Sequence, residues 1–230
     1  MKTILACLIA AMLLLQPATA EDFGKFIGAL KYKPIGGGIH EVLEDFEYRD
    51  PNGRAWPVPA GTKTDGASIP SFAWPIIGSP FTGDFIYAAV VHDFACDTKT
   101  RKWQDVHRAF YAAMRAGGEQ EGRAKLMFLA VWFRGPRWSP EVSTEASKIC
   151  QLVHGIDGKA AKVCSYRLVK VRKPIPFPEP TNPRDLARAP TAVEIESLVT
   201  SKRAEAVDQL SLADLEAKAN QAWKELQSVK

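Results

Sequence analysis

A chain of 230 residues, 46 % of them hydrophobic, is long and apolar enough for one real core with appendages. Its formal charge of +4 is weak and dispersed, so no nucleic-acid partner is expected. Beyond the first twenty residues no segment is long and apolar enough to span a membrane.

The N-terminus reads as an export signal over residues 1–20. Lys2 supplies the charge, Ile4 to Leu15 the apolar run and Ala18-Thr19-Ala20 the small-residue cleavage pattern. The run has twelve residues, whereas a spanning helix needs about twenty, and Cys7 comes too early to be a lipoprotein cysteine. The expected mature protein starts near Glu21, has 210 residues and a formal charge of +3, and is periplasmic or secreted. Disulfides persist in those compartments. Cys150 and Cys164 flank a short stretch containing Gly and Lys, which predicts a local bridge. Cys96 is then the odd cysteine: buried, metal-bound or paired between molecules.

Residues 21–60 read as β structure. Gly36-Gly37-Gly38 breaks the chain, His40 to Tyr48 alternates as a strand with His40 on the surface, and Asp50-Pro-Asn-Gly53 is a turn. Arg54 to Val58 returns as the second strand of a hairpin. The loop Val58 to Pro70 is dense in Gly, Pro and small polar residues. It can present Asp65 and Ser68 to a site, or hold Asp65 in an Asx-turn with its own backbone. Thr82 or Asp84 then caps a helix from Asp84 to Asp97 that is apolar almost all round and ends in His92-Asp93 and Cys96-Asp97. Titratable groups on a core helix are costly unless paired or used, which makes this helix the best clue to function.

A second helix is predicted over Trp103–Ala116, with Trp103, Val106, His107, Phe110 and Met114 on one stripe and Gly117-Gly118 as its stop. A third, Glu121 to Phe133, turns Leu126, Met127, Ala130 and Phe133 inward and stops at Gly135-Pro136. A short helix into Cys150 and a strand over Tyr166 to Val171 follow. Residues 173–190 contain six prolines and read as an extended linker. In the tail, residues 191–230, Thr191 to Glu194 and Ser211 to Asp214 resemble capping boxes. Leu212, Leu215, Ala219, Ala222, Trp223 and Leu226 form an amphipathic stripe there, able to fold back on the domain or to bind a protein partner.

Three pieces in order, Val58 to Pro70, Ala88 to Asp93 and Phe110 to Met114, resemble domain-of-unknown-function family 1353 of phages, prophages and bacteria. The resemblance covers roughly residues 35–135 and implies a family, not an activity. His107 stands where members often carry an acid.

Three chemical readings compete. His92 and Asp93 on one helix, facing a second antiparallel helix, are similar to the core of secreted calcium-dependent phospholipases. There the His deprotonates a water and the Asp binds calcium. On this reading His92 is a general base, Asp93 holds the cation, His107 stands alongside and the Asp65–Ser68 loop adds oxygen ligands. In the second reading His92, Cys96 and His107 bind zinc, with Asp93 as fourth ligand or outer partner. In the third, His92 and His107 are satisfied core histidines and Asp93 bonds the Thr64-Asp65 loop. The overall expectation is an α+β domain over residues 21–172, a hairpin packed on antiparallel helices, followed by linker and tail. Its function is an exported hydrolase-like domain acting on a phospholipid ester or envelope component, with zinc or calcium as the candidate metals. The alternative is a non-catalytic envelope or phage-derived binding module.

Overall fold

The computed structural model describes residues 21–65, 85–154, 160–178, 195, 197 and 207–228. Residues 1–20, read from sequence as an export signal, Ser68 and the loop through Asp84, residues 179–190 of the proline segment and the first of the two expected capping boxes lie outside the described residues.

The fold is α+β, with small antiparallel sheets ahead of a helical core and a further helix at the C-terminal end. One sheet has the order β1 (Lys25–Ile27), β4 (Phe46–Arg49), β5 (Ala55–Val58); the other has β2 (Tyr32–Gly36), β3 (Ile39–Val42), β6 (Lys63–Thr64). In the first, alternate residues Phe46, Tyr48, Trp56 and Val58 are buried, the period-2 pattern of a sheet with one covered face. The β4–β5 turn is held by Asp50, whose Oδ1 accepts from the N–H groups of Asn52 (2.9 Å) and Arg54 (3.0 Å), while Gly53 supplies a φ of +76°.

The strand expected from His40 to Tyr48 is in fact two, in different sheets. The break falls at residues 43–45, where Asp45 Oδ1 accepts from the Ala60 N–H at 2.7 Å and so ties the chain to a neighbouring loop. His40, expected at the surface, is half-buried against the Tyr32 ring.

The helical core consists of α1 (Ile86–Thr98), α2 (Trp103–Ala116) and α3 (Glu121–Arg134). Phe85, at the N-cap of α1, makes no side-chain cap bond, and Lys99 ends the helix in the left-handed region at φ 49°. Gly117 and Gly118 end α2, and Gly135 ends α3, where a Cβ would collide with the Val131 carbonyl oxygen. On α3 every residue from Ala124 to Phe133 is buried, not one stripe alone. The reason is α4 (Leu212–Ser228), which covers the second side with Leu215, Ala219, Ala222, Trp223 and Leu226. Its start is the capping box expected at Ser211: Asp214 N–H donates to Ser211 Oγ at 3.1 Å, and Ser211 N–H to Asp214 Oδ2 at 3.2 Å. Arg108 on α2 clamps Glu216 with two bonds of 2.7 Å.

The start of the proline segment is also tied down. β10 (Pro174–Ile175) pairs with β7 (Arg137–Trp138), and the Phe177 ring packs edge-on against Phe133 and Trp223.

In place of the short helix into Cys150, the chain forms a twelve-residue strand β8 (Ser143–His154), paired along its whole length with β9 (Ala160–Val171). The segment lacks a helical apolar stripe because it packs on nothing helical. Its order comes from the ladder and from the Cys150–Cys164 disulfide between directly opposed residues. An isolated two-stranded ribbon is marginal in water. A bridge closing a loop of this size adds about 3 kcal/mol. Replacing both cysteines by serine should therefore collapse amide-exchange protection along the ribbon while leaving that of α1 to α3 unchanged.

Candidate functional site

Residues one turn apart share a helix face, so α1 presents His92 and Cys96 on one side and Asp93 and Asp97 on the next. The first pair faces the core. α2 runs back along α1 and brings His107 opposite, with His92 Nε2 2.9 Å from His107 Nδ1. Cys96 Sγ lies 3.6 Å and 3.8 Å from the two ring nitrogens of His92. His92 is 3 % exposed and His107 0 %. Aromatic rings enclose the pair: Phe110 stacks on His92 at 4.7 Å, and Trp103 and Trp132 lie 5.4 Å and 6.2 Å from His107.

Burial disfavours the charged ring, so His92 is pushed down to about 3. His107 is also held well below its usual range, by burial first, then by His92 and the Arg137 guanidinium. The Pro136 carbonyl opposes this only in part. Both rings are therefore neutral at pH 7. The 2.9 Å contact then joins one N–H to one ring-nitrogen lone pair, so His92 Nε2 and His107 Nδ1 share a single proton. His107 Nε2 is buried without a hydrogen-bond partner among the described residues. Burial likewise pushes the Cys96 thiol up, keeping it protonated.

Neutral imidazoles and a cysteine suit a transition metal, and the three donor atoms lie within 4.8 Å of one another. Tetrahedral zinc sets N and S donors about 3.5 Å apart and two N donors about 3.3 Å apart. The Cys96–His92 spacing of 3.6 Å fits this. The His–His spacing of 2.9 Å is that of a hydrogen bond and must open by about 0.4 Å to match it. Asp93 stands outside this group of three, and its Oδ2 accepts from Thr64 Oγ1 at 2.6 Å. A cationic centre here also lies near buried Arg137, whose guanidinium stacks on Trp103 at 4.5 Å and Trp223 at 3.5 Å.

Asp93 belongs to a different place. With Thr64, Asp65, Asp97, Lys63 and Ile39 it lines a cleft of about 320 Å³ between β6 and the end of α1. Asp93 is 5 % exposed; Asp65 and Asp97 are open to solvent. The structure thus separates the residues singled out from sequence into two groups. His92, Cys96 and His107 meet in the core, Asp65 and Asp93 meet in the cleft, and Ser68 lies outside the described residues. Sequence reasoning missed Lys63 and Arg137. The signal for Arg137 was present in Arg134-Gly-Pro-Arg-Trp138, a cation between aromatic-rich segments.

A family model described as "Protein of unknown function (DUF1353)" matches residues 40–131, which hold His92, Cys96 and His107 and, apart from Ile39, the residues of the cleft. The uncharacterized protein y4iH of Sinorhizobium fredii (strain NBRC 101917 / NGR234) is 40 % identical over 172 residues, covering 68 % of this chain and 72 % of that protein. The chain belongs to the DUF1353 family. A second relative, uncharacterized protein y4jT of the same organism, is 41 % identical over 152 residues. That match takes in 63 % of this chain but only 45 % of the relative, so the chain spans less than half of that protein's length. No solved structure matches the chain. None of these matches carries the likeness to phospholipases over to it.

Proposed function

We propose that this DUF1353 domain is a binding module whose cleft over Asp93 takes up a divalent cation of the calcium type and, through it, an anionic ligand. The observation that carries the reading is the orientation of Asp93. Thr64 holds its carboxylate at the cleft wall, Asp65 and Asp97 flank it, and the adjacent His92 turns the other way. Carboxylate and hydroxyl oxygens suit a hard cation. Lys63 on the same wall offers a charge to an anionic group brought by the metal. Calorimetric titration of the mature protein with calcium should show one saturable site. Asp93→Asn, which keeps an acceptor for Thr64, should weaken it at least tenfold. No uptake of calcium, magnesium or manganese, or uptake indifferent to Asp93→Asn, rejects the reading.

A catalytic form of the same site hydrolyses a phospholipid ester or an envelope component, with the cation polarising the carbonyl and His92 as base. It requires the His92 ring to leave His107 and reach the cleft, and turnover of ester substrates that depends on both calcium and His92 would establish it. A second reading, a zinc centre, is favoured by the convergence of His92, Cys96 and His107. Elemental analysis decides it: stoichiometric zinc, lost in His92→Ala and in Cys96→Ser, would make that cluster the metal site. The Cys150–Cys164 bridge supports placing the protein outside the cytoplasm, as a periplasmic or secreted envelope component.

A further inference from the structure

We propose that the β8–β9 ribbon is a docking arm for an anionic lipid surface. At about 3.4 Å per residue its twelve-residue strands reach about 40 Å. No other described element packs along it. The register puts Lys148 opposite Tyr166, Ala146 opposite Leu168, Thr144 opposite Lys170 and the Cys150–Cys164 bridge next to Lys162, all on one face. Tyr166 and Leu168 are 73 % and 72 % exposed. Lys148, Lys162 and Lys170 are exposed beside them, and among the described residues none forms an ion pair. The one acid of the two strands, Glu145, falls on the opposite face with Arg167.

A face with three lysines and no acid repels a second copy of itself, so self-pairing is disfavoured and an anionic partner is matched. A tyrosine and a leucine flanked by long cationic stems are the composition that settles at a lipid headgroup boundary. The rings and methyls enter, while the ammonium groups stay with the phosphates. The disulfide holds the face in one register, so the five side chains act together.

The test is vesicle co-sedimentation of the mature protein. It should bind phosphatidylcholine vesicles containing one third phosphatidylglycerol, bind pure phosphatidylcholine far less, and release as salt rises. Neutralising Lys148, Lys162 and Lys170 together to Gln should weaken binding roughly a hundredfold, at about fivefold per charge. Tyr166→Ser with Leu168→Ser should also weaken it, and Arg167→Gln on the other face should change it little. Because these side chains support no core, melting temperatures serve as the folding control and should not move. Equal binding to neutral vesicles, or anionic binding that survives the triple substitution, overturns the proposal. Binding to polyglutamate without binding to any vesicle overturns it too, and assigns the ribbon to an acidic protein partner.

Discussion

Acidifying the chelator-treated protein from pH 6.5 toward pH 3 is expected to unfold it with the uptake of two protons by its core histidines. The sign follows from the direction of the shifts. His92 is lowered from 6.5 to about 3 and His107 is lowered as well, both first by burial. The unfolded chain therefore binds protons that the native core refuses. Stability from the pair is fully present above pH 6.5 and is lost as pH falls below it, down to the native pKa values. Two protons correspond to a slope of about 2.7 kcal/mol per pH unit once both unfolded rings are charged. Urea melts at closely spaced pH values read this slope directly. His107→Asn keeps a polar group against His92 but does not titrate, so its slope should fall to one proton. A stability flat between pH 6.5 and 4.5, or a slope unaltered by His107→Asn, would show that these rings are solvated and that the core site is wrongly drawn. A zinc-loaded protein should instead resist acid until the metal leaves, which separates the two readings of the cluster.

Removing the ring of Trp223 is expected to lower stability by about 3–5 kcal/mol, a fall in Tm of roughly 10 °C for a domain of this size. Trp223 is 7 % exposed, takes the Phe177 ring edge-on at 5.1 Å and stacks over the Arg137 guanidinium at 3.5 Å. Arg137 is itself buried, donates to the Trp132 carbonyl at 2.6 Å, and is lowered to about 9 by desolvation. Trp223→Ala leaves a cavity and takes one aromatic face from a cation with little access to water. Trp223→Phe should recover part of the loss. Truncation before residue 207 should be worse, because it removes the whole helix that packs on α3 and the Asn220 side chain that accepts from the Trp132 indole N–H at 3.1 Å. If thermal melts of the truncated chain matched those of the whole, α4 would be a free arm for a partner. In this fold its apolar stripe is already occupied by α3.

How much of this was legible beforehand depended on whether the signal was local. The stripe Trp103 to Met114 with Gly117-Gly118, the Asp50–Gly53 turn and the Ser211–Asp214 capping box are each written within a few residues, and each forms as the sequence predicts. The Cys150–Cys164 bridge was legible for the same reason, although the ribbon carrying it was misread in part as helix. Strand β8 has no core to set a period, so its pattern carried no signal of its own. The break between β3 and β4 was hidden because Asp45 acts on Ala60, fifteen residues away.

For the candidate site, residue types alone determined that His92, Asp93, Cys96 and His107 had to be reckoned with, since titratable groups on an apolar helix demand partners. Helical spacing further paired His92 with Cys96 and Asp93 with Asp97. Which pair faces inward could only be decided in three dimensions. The rotation of α1 about its axis is set by the sheets on one side and α2 on the other. That packing buries His92 against His107 and leaves Asp93 to Thr64 and the cleft. The same holds for α3 and Arg137. Their burial is completed by a helix some eighty residues further along, and no local pattern encodes a neighbour that far away.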